Sequence, residues 1–140
     1  MSNQQPNWQP VSMLPVISEI LDGSLESAIE QLKSLHPVVD KPHVLDSNTV
    51  NRIIKLYTEQ AEDHWVFEEQ LKRWKDEELS ESELSEINRL AGVLSETKST
   101  GEKILKITQG MEHNTIDKII EMDELELVEA MLSGKIKPPR

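Results

Sequence analysis

The feature that most limits what this chain can become is an uninterrupted helical seam from Asp46 to Leu79. Val50, Ile53, Tyr57, Gln60, His64, Phe67, Leu71 and Trp74 recur there at alternating three- and four-residue steps. That spacing belongs to a helix packed lengthwise on other helices. Leu56, Phe67 and Trp74 widen the seam on one flank, and Ile54, Ala61, Trp65 and Leu79 on the other. A helix apolar over about half its circumference touches two or more neighbours. The fold class expected is therefore all-α: a long antiparallel helical hairpin in a helical bundle, with this helix as its spine and short C-terminal helices.

The neighbours follow from the same periodicity. Ile17, Ile20, Leu21, Leu25, Ala28, Ile29, Leu32 and Leu35 form one stripe after Ser12, the expected N-cap, with Pro15 in the first turn. The stripe keeps its phase through Asp22-Gly23-Ser24, which favours one helix over two. His36-Pro37 should stop it, because a residue before proline is pushed away from helical geometry. Pro37 to Leu45 then reads as an extended connection. Asp46 or Ser47 caps the spine, whose roughly 32 residues would span about 48 Å. Ser80-Glu81-Ser82-Glu83 has the form of a capping box, so the chain should turn back there into a third helix from Glu81 to about Glu112. Two short amphipathic helices, 115–121 and 124–132, should follow. Residues 1–11 read as a flexible polar arm, 12–134 as one domain, and 135–140 as a basic tail. Trp8, the only bulky side chain of the arm, is expected either to dock on a neighbouring subunit or to have no role.

Charge and composition narrow the function classes. Twenty-six acids against fifteen bases give a net charge of −11, which disfavours direct nucleic-acid binding. Lys72, Arg73 and Lys75 are interleaved with acids. Glu68 to Lys72 and Glu69 to Arg73 have the favourable four-residue order, so the cluster reads as a solvated face. No apolar run is long enough for a membrane span, and no leader peptide is legible. With no cysteine in the chain, a cytoplasmic location is the expectation. His36 and His43 flank one loop without a third ligand, so no metal is expected, and no cofactor. The Glu-x-x-His pairs of di-iron bundles are absent. Glu77-Glu78-Leu79-Ser80-Glu81 has the first acidic string of the all-helical nucleotide pyrophosphatases, but it spans the turn and no Glu-x-x-Asp follows.

The apolar pattern breaks twice. Gln60 and His64 occupy seam positions on the spine, with Glu59, Glu62 and Asp63 around them. On the third helix nothing apolar lies between Ser95 and Lys103, and its seam positions there are Thr97, Lys98 and Gly101. In a hairpin closing near Ser80, facing residues have numbers summing to about 160. The two breaks should therefore lie opposite each other. Such a layer can fix register, with Lys98 bridging to Glu62 or Asp63. It can mark an exposed stretch. It can also be a small ligand pocket opened by Gly101, built from His64, Lys98 and an acid. The leading expectation is a non-enzymatic, self-associating interaction or regulatory protein. In it Phe67, Trp65 and Trp74 are shared in a homodimer or with another protein partner. The alternative is a small-ligand protein or enzyme centred on His64 and Lys98.

Overall fold

The computed structural model describes residues 6–41, 44–112, 128, 129 and 132. Its three long helices are α1 (Leu14–Leu35), α2 (Ser47–Lys75) and α3 (Glu81–Met111), and no strand occurs among the described residues. They run up, down and up, so the chain is an all-α helical bundle. The expected short C-terminal helices and the basic tail fall outside the described residues, apart from helical Val128, Glu129 and Leu132.

Local chemistry accounts for most boundaries. Helix α1 is continuous through Gly23, as its unbroken stripe requires, but Ser12 does not cap it. A 3-10 turn at Val11–Met13 leads in, and the N-cap position is Met13 with no side-chain bond. Asp46 caps α2 by accepting from the Thr49 backbone N–H at 2.7 Å. Ser80 and Glu83 form the complete reciprocal capping box of α3. Helix α2 ends at Lys75, four residues earlier than Leu79. Lys72, Arg73 and Lys75 suit the negative end of the helix dipole, whereas Asp76, Glu77 and Glu78 oppose it. The link from α1 to α2 also differs from an extended strand. His36 stays helical (φ −54°, ψ −47°), and Pro37 enters a 3-10 turn over His36–Val38. The missing proline N–H costs nothing in a first turn, so Pro37 fits there, and the α-helix itself ends at Leu35, where His36-Pro37 was expected to stop it.

Packing corrects which helix is shared. Helix α3, not α2, lies along both others, and α1 and α2 approach each other much less closely. Separation between helices follows the side chains at the contact. Helix α1 offers α3 the small Ser18 and the completely buried Ala28. The side of α2 nearer α1 carries Leu56, Glu59, Asp63 and Phe67, which hold a groove open. The outer flank of α2, whose apolar width suggested a second neighbour, is covered in part by the N-terminal segment. Trp8 stands edge-on to Trp65 with ring centroids 6.4 Å apart, and the Arg73 guanidinium lies 4.2 Å above the Trp8 ring. Gln9 N–H donates to Gln70 Oε1 at 2.7 Å, while Trp74 Nε1–H donates to the Gln9 carbonyl at 2.9 Å. Trp8 thus docks on its own chain, and residues 8 and 9 strap α2 rather than hanging free.

A charged clamp joins α1 to α3. Arg89 donates from both terminal nitrogens to the two Asp22 oxygens, each at 2.9 Å, and its Nε donates to Glu86 Oε1 at 2.7 Å. Arg89 holds the Asp22 carboxyl below its ordinary range and the Glu86 carboxyl down to about 2. The Ser18 hydroxyl is a lesser cause at Glu86. It is buried, and its approach falls short of hydrogen-bond geometry, so Arg89 carries the effect. Both folded-state values are depressed, so the clamp stabilises the fold above about pH 4.5 and is lost as pH falls toward 2. Arg89→Met should therefore lower the melting temperature at pH 7. It should also flatten the fall in melting temperature between pH 4.5 and 2.5, with little difference from wild type left at the acid end.

Candidate functional site

The polar breaks divide the core in two. Toward the hairpin turn, Leu14, Leu21, Leu71, Trp74, Ile87, Leu90 and Leu94 form one cluster. Toward the other end, Ala28, Leu35, Val50, Ile53, Tyr57, Ile104 and Met111 form a second. Between them the structure brings together Gln60 and His64 of α2 with Thr97, Lys98 and Gly101 of α3, which line one small depression of about 60 Å³. The two breaks do lie level, as the hairpin register requires.

The members of this layer behave differently. His64 is the most enclosed of its charged or titratable groups, with a side chain 11% exposed, and its Nε2 lies 3.1 Å from Glu68 Oε1, one turn along α2. Thr97 is half-buried and donates from its hydroxyl to the Val93 carbonyl at 2.8 Å, so its polarity is satisfied within α3. Gln60 and Gly101 are half-buried, while Glu59, Glu62, Asp63 and Lys98 are exposed. A Cβ on Gly101 would meet Tyr57 Cδ1 at 3.7 Å, an ordinary contact, so glycine is not required by crowding there. No ion pair joins Lys98 to Glu62 or Asp63 among the described residues. The register-fixing bridge is therefore not formed. Glu59 and Asp63 lie on the flank toward α1, whereas Lys98 lines the opposite flank with Lys72 and Lys75.

Of the three aromatics expected at an interface, Trp74 is fully buried within its own chain, held there by its bond to Gln9. Phe67 is half-buried at the edge of the first cluster and lines the groove toward α1. Trp65 remains 54% exposed beside Trp8.

Three depressions open from the layer or near it. One lies between α1 and α2, about 220 Å³, and includes Leu21, Leu56, Glu59, Asp63 and Phe67. It shares Leu56 and Glu59 with a wider depression of about 490 Å³, which continues to Arg52, Lys55 and Gln31. The third lies between α2 and α3, about 360 Å³, with Leu71 and Leu94 beneath Lys72, Lys75 and Lys98. Arg52, Lys55 and Leu56 were not legible as a site because nothing breaks the helix period there. The signal was the order of charges along one edge of α2, basic at 52 and 55 and acidic at 59 and 63. Among the described residues no group of three or more His, Asp or Glu side chains could hold a metal ion. No helix among them is long and apolar enough to cross a membrane.

Comparison of the chain with protein-family models, with curated proteins and with solved structures finds no match.

Proposed function

We propose that this chain is a non-enzymatic helical interaction protein that pairs with a second copy of itself through the groove between α1 and α2. One observation carries the reading. The edge of α2 along that groove is basic at Arg52 and Lys55, apolar at Leu56, and acidic at Glu59 and Asp63. None of these four charged side chains makes an ion pair within the described residues. Leu56, 47% exposed, sits between the two signs.

A two-fold axis near Leu56 would lay two α2 edges antiparallel. Arg52 of one copy would then meet Asp63 of the other, and Lys55 would meet Glu59. An isologous contact needs this kind of self-complementary surface, and each pair then occurs twice. Complementary charge fixes register and orientation, while the desolvated apolar centre supplies most of the affinity.

Light scattering on the full chain at tens of micromolar should give twice the mass of one chain. Leu56→Asp should give a single-chain mass with unchanged helix content, because the substitution is at an exposed position. A wild-type monomer at high micromolar concentration would overturn the proposal.

A further inference from the structure

The opposite flank of α2 carries a different chemistry. We infer that the depression between α2 and α3, floored by Leu71 and Leu94 and rimmed by Lys72, Lys75 and Lys98, binds a small organic anion, a carboxylate on an apolar body.

The charge arrangement is the first ground. On sequence spacing Lys72 should be neutralised by Glu68. In the structure Glu68 turns one helical turn the other way, to His64 at 3.1 Å, and Lys72 keeps no ion pair. Arg73, the cation between the two lysines, points away: it reaches Glu69 at 3.3 Å and stacks on Trp8. Lys98 enters from α3, and its expected partners Glu62 and Asp63 do not reach it. A chain of net charge −11 thus gathers three ammonium groups without ion pairs around one depression. Its single lining carboxylate, Glu68, lies 3.1 Å from His64 Nε2, so three positive charges face one negative in the lining. Like charges brought together repel, and an anion seated among them converts that repulsion into attraction. The long-range repulsion from the acidic surface is screened beyond about 8–10 Å at ordinary salt, so the local field decides.

The second ground is shape. Leu71 and Leu94, each 4% exposed, lie at the base of the depression, and the exposed Ala91 and Ser95 are small side chains on its α3 wall. The volume of about 360 Å³ lies within the range of small-molecule sites, which combine mostly apolar walls with a few placed charges. A bare inorganic anion would satisfy the lysines and leave the floor unused. An alkyl or aryl carboxylate uses both.

The test is a titration of the full chain with octanoate, followed by amide NMR, with octanol and inorganic phosphate as controls. Octanoate should give saturable shifts along residues 68–75 and 91–98. Lys72→Met and Lys98→Met should each weaken binding by about fivefold, and together by more than tenfold, as expected when each removes an ion contact worth about 1 kcal/mol. Arg73→Met, one residue away but facing outward, should leave the affinity unchanged. Arg52→Asp, on the self-pairing edge, should leave it unchanged too, which separates this site from the dimer. Absence of saturation with octanoate would overturn the inference. So would equal binding by the double lysine variant, or shifts by phosphate or octanol as strong as those by octanoate.

Discussion

Replacing Trp74 by alanine is expected to remove about 3–5 kcal/mol of stability, the usual cost of emptying a buried aromatic site. A chain of this length has roughly 7–20 kcal/mol in all, so the variant should unfold at a much lower denaturant concentration. Two effects combine at this residue. The indole is wholly buried among Leu14, Leu71, Ile87 and Leu90, where all three helices meet near the hairpin turn. Its N–H also holds the Gln9 carbonyl, and through Gln9 the segment that carries Trp8 across α2. Trp74→Phe separates the two, because it keeps most of the volume and loses the bond. It should cost about 1–2 kcal/mol. Urea unfolding followed by circular dichroism measures both. Near-equal midpoints for the alanine variant and wild type would show that Trp74 is not the packing centre of that end of the bundle.

Much of the architecture is legible in the residues because it is set by local rules. The capping box at Ser80 and Glu83 and the Asp46 cap are each decided within one turn of helix. The level meeting of Gln60 and His64 with Thr97 and Gly101 followed from two seams and the position of one bend. What was not legible is what depends on contacts distant in sequence. Gln9 and Trp74 are 65 residues apart, and nothing periodic marks the polar segment as a strap. The apolar width of α2 was real, but Trp8 of the same chain lies over part of it. The choice between His64 and Lys72 as partner for Glu68 was hidden for another reason. Both stand four residues away, and spacing alone cannot rank them. That choice leaves the lysine without a partner and gives the α2–α3 depression its charge. The wide stripe on α2 pointed to α2 as the shared helix, whereas α3 lies along both others. On α1 the small, buried Ser18 and Ala28 allow a close helix approach.

The second large effect concerns self-association. Reversing one end of the α2 edge, with Arg52→Asp and Lys55→Glu together, should place acid against acid at four points across the two-fold. Each reversed pair changes from mild attraction to mild repulsion, roughly 0.5–1 kcal/mol. Dissociation should therefore become easier by a factor of roughly 30 to 1,000. The same holds for Glu59→Lys with Asp63→Arg, which reverses the other end. The two variants move net charge in opposite directions, so a general effect of charge would strengthen one and weaken the other. A register-specific contact weakens both.

The most direct measurement is sedimentation equilibrium of these two variants, each alone and then mixed in equal amounts, with one carrying a mass tag. Each alone should sediment as a monomer, and the mixture should form a one-to-one heterodimer, because every reversed residue then meets its reversed partner. If both variants remain dimers alone, or if the mixture stays monomeric while wild type is a dimer, the antiparallel pairing of α2 edges is contradicted.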